Sequence, residues 1–282
     1  MGRGYRFPAH GDFKIAMKYL FNVWPEFTAS FQSAPHVLLL ADYDGTLAEI
    51  VGRPQDAALS GSVRQKLQTL SRKKNVSVGV ITGRMMAELK SFVSLEGIYY
   101  AGNHGMEIEG PGLEYINPQA NSARPVIALL TKELIAATSN IDGVIVQAKG
   151  FSVSVHYRLV KSQDESAVAE TVRKITAPHV KSGEIYVYPM KKVWEIRPPI
   201  DWNKGKAALL IGEKIKKELK LKRLLTSYLG DDTTDEDAFH VVRRPDGWSI
   251  FVCGEKTESS AEYYLNSVSE VGEFLGRLVG LK

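Results

Sequence analysis

The sequence predicts an α/β protein: a Rossmann-like parallel sheet interrupted by a second, smaller α/β domain. Three observations lead there. Short apolar runs, His36-Val-Leu-Leu-Leu-Ala41 and Val76-Ser-Val-Gly-Val-Ile81, stop abruptly at polar clusters, as strands buried on both faces of a parallel sheet do. They alternate with amphipathic helical stretches over short links, the pattern of βαβ units. Between residues 112 and 197 the pattern changes, and Phe151 to Leu159 alternates strictly, apolar on odd and polar on even positions.

The elements follow in order. After the His36–Ala41 strand, Ser60 and Ser62 open a helix over Val63 to Leu70. The Val76–Ile81 strand, a helical stretch and a strand at Ile98–Ala101 come next. Within the insertion the sequence predicts a helix (Val126 to Ala137), strands at Val144–Gln147 and Phe151–Leu159, a helix (Glu165 to Ile175), and strands at Glu184–Tyr188 and Val193–Arg197. The strand from Phe151 should bury one face and leave Ser152, Ser154, His156 and Arg158 on a polar one. After Pro198-Pro199 the βα alternation resumes: helix Gly205 to Leu219, strand Leu224 to Leu229, a helix from Thr233, and strand Trp248 to Val252. The expected domains are therefore a core at 36–111 and 198–282 and an insertion at 112–197, with Pro198-Pro199 and Gly110 to Gly112 as hinges.

Composition sets the outer bounds. At 282 residues, and roughly 150 per domain, two domains are expected. An apolar fraction of 44% with 24% charged residues excludes a mainly disordered, collagenous or disulfide-stapled chain. Thirty-six basic against 32 acidic side chains leave a net charge of +4, too mild for nucleic-acid binding and compatible with an anionic small substrate. The lone Cys253 allows no internal disulfide, and a reducing, cytoplasmic setting is expected. No run approaches the roughly 18 apolar residues of a membrane span. The aromatic-rich start (Phe13, Tyr19, Phe21, Trp24, Phe27, Phe31) is broken by Lys14, Lys18 and Asn22, which does not read as a secretory signal. Residues 1–35 are expected to form a docked helical extension ending near Pro25.

Four polar clusters stand at strand ends or helix starts. Asp42-Tyr-Asp44-Gly-Thr46 places two carboxylates after a buried strand, where they need a cation or donors to compensate them; alone it also fits an Asx turn or a glycosyltransferase metal pair. Thr82-Gly-Arg84 offers a hydroxyl and loop N–H groups to a phosphate oxygen, though alone it fits a helix N-cap better. Trp202-Asn-Lys204-Gly-Lys206 sets a lysine at a helix start, the end of the dipole that disfavours cations. Gly230-Asp-Asp-Thr-Thr-Asp-Glu-Asp237 holds five carboxylates in seven residues, more than a cap requires, and Asp231 and Asp232 suit Mg²⁺.

In this order the four clusters resemble the motifs of the haloacid dehalogenase-type phosphohydrolases over about residues 36 to 260. The long stretch separating Thr82 from Lys204 resembles the later-inserted α/β cap of that superfamily. The resemblance implies phosphoryl transfer through an aspartyl phosphate. Asp42 would be the nucleophile and Asp44 the general acid and then base. Thr82 and Lys204 would bind phosphate oxygens, and Asp232 would orient Lys204 or a metal-bound water. Mg²⁺ would be held by Asp42, the Asp44 backbone carbonyl and Asp231.

Five strings resemble one family within that superfamily, the trehalose-6-phosphate phosphatases: Gly102-Asn-His-Gly-Met-Glu107, Ser152-Val-Ser-Val-His-Tyr-Arg158, Val193-Trp-Glu-Ile-Arg-Pro198, Trp202-Asn-Lys-Gly-Lys-Ala207 and Gly230-Asp-Asp-Thr-Thr-Asp-Glu-Asp-Ala-Phe239. This resemblance implies that Gln147 and Lys149 contact the distal glucose, with Gln147 in place of the family's acidic residue. It further implies Arg158, Lys191 and Glu195 on the sugar or phosphate, and Asn103 and His104 at the core–cap junction. It implies a sugar-phosphate substrate, and leaves room for a separate trehalose-6-phosphate synthase as partner. The alternatives are a phosphatase of sucrose phosphate or another glycoside, and a non-catalytic sugar-phosphate sensor.

Overall fold

The structure, a computed structural model, describes residues 17–190, 192–252 and 258–281. Phe13, Lys14, Lys191 and Cys253 therefore lie outside the described residues. The chain divides into two compact units, one spanning Ile116–Asp201 and the other the flanking segments up to Tyr115 and from Trp202.

The larger unit opens with β1 (Lys18–Tyr19), α1 (Trp24–Ser33), β2 (Val37–Ala41), α2 (Gly61–Ser71), β3 (Val76–Ile81), α3 (Met86–Val93), β4 (Tyr99–Gly102), β5 (Glu107–Gly110) and β6 (Leu113–Ile116). The smaller unit contributes α4 (Pro118–Thr138), β7 (Ile145–Ala148), β8 (Val153–His156), α5 (Glu165–Ser182), β9 (Tyr186–Met190) and β10 (Val193–Arg197). The chain then completes the larger unit with α6 (Lys204–Glu218), β11 (Leu225–Gly230), α7 (Glu236–Val241), β12 (Gly247–Val252), β13 (Tyr263–Leu265) and α8 (Val268–Gly280).

The nine-stranded sheet runs β1-β13-β12-β11-β2-β3-β4-β5-β6. Its strands pair in parallel from β1 through β4, and β5 joins antiparallel. Both faces are covered. Val37, Leu39 and Ala41 of β2 pack with Phe27, Leu67, Leu89 and Phe274, so α1, α2, α3 and α8 share one face. Leu38 and Leu40 pack with Ile211, Ile215 and Phe239 of α6 and α7 on the other. That double burial is why β2 reads as a continuous apolar run. Ser60 caps α2 by accepting from the Val63 amide at 3.2 Å, as its position before the apolar repeat suggests.

The structure corrects several boundaries. Pro25 opens α1 instead of ending a helix, because at the first turn its missing N–H leaves no bond unmade. Helix α4 begins at Pro118, well before Val126, since the Asn117 side chain caps it through the amides of Gln119 and Ala120, and it runs on through Pro125. The long strand expected from Phe151 shortens to Val153–His156, and Leu159 is exposed. Helix α7 starts at Glu236, not Thr233. The Gly110–Gly112 stretch is the turn joining β5 to β6 in the large sheet.

The smaller unit is a four-stranded sheet, β7-β8-β10-β9, antiparallel at each pairing. Val153, Val155, Val187 and Ile196 face Leu130 and Leu134 of α4 and Val168 and Val172 of α5. The register aligns Gln147, Ser154, Glu195 and Tyr188 across the four strands, and the two-residue period puts them all on the opposite face. No helix among the described residues is long and apolar enough to cross a membrane.

Phe27 lies fully buried 4.9 Å from the Trp248 ring and 5.4 Å from Phe274. Phe27→Ala should lower unfolding free energy by about 3–5 kcal/mol in a urea titration, the cost of an aromatic cavity. His36, buried 2.9 Å from the Ser77 hydroxyl, has its pKa held below the usual value by burial. The unfolded chain thus takes up this proton first: stability is intact above the unfolded pKa near 6.5 and falls as pH drops through it. Between about pH 7.5 and 5.5 the wild type should lose more unfolding free energy than His36→Gln; equal losses would contradict the assignment.

Candidate active site

Strands β11, β2 and β3 are neighbours and run the same way, so their carboxyl ends open on one edge of the sheet, where ligands bind in open α/β folds. Asp42 and Asp44 follow β2, Thr82 follows β3, and Asp231 follows β11. The Asp42 amide donates to the Leu229 carbonyl at 2.8 Å, which pins the first carboxylate beside the tip of β11. Gly45 adopts φ +77°, and a Cβ there would sit 2.0 Å from an Asp231 oxygen, so only glycine lets the turn approach that carboxylate.

Lys204 is the first residue of α6, whose Asn203 cap accepts from the Lys206 amide at 2.9 Å. Its ammonium is buried, 2.8 Å from Asp235 Oδ1 and 3.0 Å from Asp42 Oδ1. Burial opposes its charge, but Asp235, Asp42 and Asp232 outweigh burial and hold its pKa well above the lysine value. The approach to Asp42 is off the hydrogen-bond line, so Asp42 Oδ1 is buried without an aligned donor.

The carboxylate that holds Lys204 is Asp235. Its Oδ1 also accepts from Tyr228 Oη at 2.6 Å, and its Oδ2 accepts from the amides of Asp231 and Asp232 at 3.1 and 3.2 Å. Asp232, expected to orient the lysine or a metal-bound water, accepts from the Thr234 amide and hydroxyl at 2.7 and 2.6 Å and acts on Lys204 through its charge. Sequence reasoning quoted Asp235 within its motif and gave it no role. Its four-residue offset from Asp231 gained meaning only once the loop folded back on itself.

Arg84 is the second residue the sequence left without a role. Its guanidinium grips both oxygens of Asp44, Nε at 2.6 Å from Oδ2 and Nη2 at 2.5 Å from Oδ1, and lies over the rings of Phe92 and Tyr43. Thr82 is buried, with its hydroxyl accepting from the Arg84 amide at 3.3 Å and its carbonyl from His104 N at 2.8 Å. Asn103 is bound through its amide to the Arg84 carbonyl at 2.7 Å. The structure thus brings Asp42, Asp231 and Lys204 to one cluster and stitches Thr82, Asn103 and His104 into an adjoining loop.

A divalent cation fits this cluster. Asp42, Asp231 and Asp235 each offer an oxygen within 4.8 Å of the others. Burial, then Asp235 and Asp232, push the Asp231 pKa up to about 7, the mark of carboxylates lacking countercharge. Because Asp235 is engaged by Lys204, Tyr228 and two amides, Asp42 and Asp231 are the members of the cluster that could turn an oxygen to a metal.

In the smaller unit the expected sugar contacts fall into two groups. Glu195 is buried and accepts from Ser152 Oγ at 2.8 Å, Ser154 Oγ and Lys149 Nζ at 3.2 Å, while Gln147 Oε1 accepts from His156 Nε2 at 3.1 Å. Burial alone would raise the Glu195 pKa, yet Lys149, Arg197 and the serine hydroxyls hold it below the usual glutamate value. Ser152 and Ser154 are buried because they serve this carboxylate. Arg158 does not share their strand face; it lies exposed in the turn after β8.

Comparison with known proteins identifies relatives over most of the chain. A protein-family model described as trehalose-phosphatase matches residues 40–269. "Probable trehalose-phosphate phosphatase D" of Arabidopsis thaliana is 38% identical, over 90% of this chain and 70% of its own length. "Trehalose-phosphate phosphatase B" of the same plant is 36% identical, over 87% and 67%. Among solved structures, the C. albicans trehalose-6-phosphate phosphatase C-terminal domain superposes with a TM-score of 0.75 at 23% identity, covering 96% of this chain and 100% of that one. The fold is a haloacid dehalogenase-type core with an inserted α/β cap. With the family model spanning both ends of the acidic cluster, this chain belongs to the trehalose-phosphatase family.

Proposed function

We propose that this protein hydrolyses trehalose 6-phosphate to trehalose and phosphate, with Mg²⁺, through an aspartyl phosphate on Asp42. The observation that carries the reading is the buried Lys204 held against Asp42 by Asp235, beside Asp231 at the same sheet edge. A pure binder has no use for a carboxylate oxygen left without an aligned donor at that position.

Asp42 attacks phosphorus as the bond to the sugar oxygen breaks, and Asp44 delivers a proton to that oxygen. Water then attacks the phosphorus, Asp44 takes its proton, and the bond to Asp42 breaks. Both Asp44 oxygens accept from Arg84 here, so Asp44 gives up one of these bonds and takes up a proton from solvent before it serves the leaving oxygen; the proton it later takes from water returns it to that state. Lys204 and Thr82 balance charge on the transferred phosphoryl oxygens. Asp42, the Asp44 carbonyl and Asp231 would hold Mg²⁺, which would screen charge between the nucleophile and the dianionic ester.

The smaller unit, Ile116–Asp201, is the substrate-selecting cap in this reading. Gln147 and Lys149 would contact the distal glucose, Arg158, Lys191 and Glu195 the sugar or the phosphate, and Asn103 and His104 would also bind substrate. Because Lys149 and Glu195 are bonded to each other in the structure, they act on the sugar as a pair. A trehalose-6-phosphate synthase would supply the ester.

Phosphate release should be measured from trehalose 6-phosphate, sucrose 6-phosphate and glucose 6-phosphate, with and without Mg²⁺. The first should be preferred, glucose 6-phosphate should be poor, and EDTA should abolish turnover with Mg²⁺ restoring it. Preference for another ester would refute the substrate assignment. Asp42→Asn should reduce kcat on the order of 10³-fold or more while calorimetry still detects substrate binding; unchanged turnover would remove the covalent mechanism.

A further inference from the structure

Three consecutive residues beside Thr82 adopt left-handed backbone: Asn103 at φ 50°, His104 at 58° and Gly105 at 86°. Two successive non-glycine residues there are uncommon and strained, and such strain gathers at functional loops. The loop is bound to the Thr82–Arg84 turn through the amides of Asn103 and His104. The His104 ring lies over Gly83, where an added Cβ would meet it at 2.8 Å.

The Asn103 side chain is 3% exposed, and its two polar atoms are treated differently. Nδ2 donates to Glu107 Oε1 at 2.7 Å, whereas Oδ1 is buried with no donor. The same Glu107 oxygen accepts from the Met86 amide at 3.3 Å, at the start of α3, where Met85 provides no side-chain cap. An ionised carboxylate can only accept, so the amide can face Glu107 only through its NH₂ group. The carbonyl is then forced to be the free end. Buried carbonyls without a partner are rare and call for an explanation.

We propose that Glu107 is a positioning residue that sets the polarity of Asn103, presenting its carbonyl as an acceptor to a hydroxyl of the phosphorylated sugar. This rests on the sugar-phosphate reading above and adds to it a residue and a hydrogen-bond direction. The dianion of a phosphate ester has no proton to give, and its oxygens fall to Thr82 and Lys204 in that reading, so this acceptor recognises the alcohol portion of the substrate.

The test is steady-state kinetics on whichever sugar phosphate the wild type turns over best, with inorganic phosphate as competitive inhibitor. Glu107→Gln keeps an acceptor for Met86 but no longer dictates the Asn103 orientation. It should raise KM roughly tenfold, about one neutral hydrogen bond, with kcat within about threefold and the phosphate inhibition constant within about twofold of wild type. Asn103→Asp sets two carboxylates against each other and should raise KM at least as much. The double variant Asn103→Asp with Glu107→Gln restores a donor–acceptor pair of reversed direction and still leaves an oxygen free, so KM should return to within about threefold of wild type. An unchanged KM in Glu107→Gln overturns the proposal, as does a KM that rises in step with the phosphate inhibition constant. So does a double variant no better than Asn103→Asp, a comparison that holds even if Glu107→Gln alone does not fold. A wild type without turnover on any sugar phosphate would instead remove the proposed function itself.

Discussion

The site depends on one buried cation between two carboxylates. Lys204 meets Asp235 at 2.8 Å and Asp42 at 3.0 Å in a place shielded from water. Removing such charges from solvent is expensive, and the arrangement is tolerable only because further hydrogen bonds satisfy the remaining lone pairs. Asp235 has all of them: Tyr228, two backbone amides and the ammonium. The triad joins the start of α6 to the tips of β11 and β2, so the same interaction that closes the core places Asp42. It also explains Gly230, where a Cβ would fall 2.2 Å from the Asp235 carboxyl carbon.

Around that centre the charges are paired unevenly, and the unevenness is informative. Asp235 and Asp44 are saturated by Lys204 and Arg84 respectively, whereas Asp42 and Asp231 retain oxygens with little compensation. Arg84 fixes Asp44 at rest, Asp235 stays tied to Lys204, and Asp42 and Asp231 are the two that, in the proposed mechanism, would meet the cation and the phosphoryl group. The smaller sheet repeats the logic on a smaller scale. Its apolar face is sealed by α4 and α5, which leaves the other face free to gather Glu195, Lys149, Gln147 and His156.

Legibility followed the range of the interactions. Strands β2, β3, β10 and β12 were readable because burial on a sheet imposes a local pattern of apolar residues. The starts of α1 and α4 are not legible locally, because proline favours the first turn yet is tolerated further in, as Pro25 at the start of α1 and Pro125 inside α4 show. The strand from Phe151 was read too long for a related reason. Its alternation continues to Leu159, but pairing with β10 ends at His156.

From the chain alone came the α/β class, the four polar clusters and their places at strand ends, since each is encoded within a few consecutive residues. Only the folded molecule decided which carboxylate serves Lys204, that Arg84 grips Asp44, that Lys149 and Glu195 hold each other, and which end of the Asn103 amide is left free. Those choices join residues from separate strands and loops, and a hydrogen bond's direction and partner are properties of positions in space that no local pattern records.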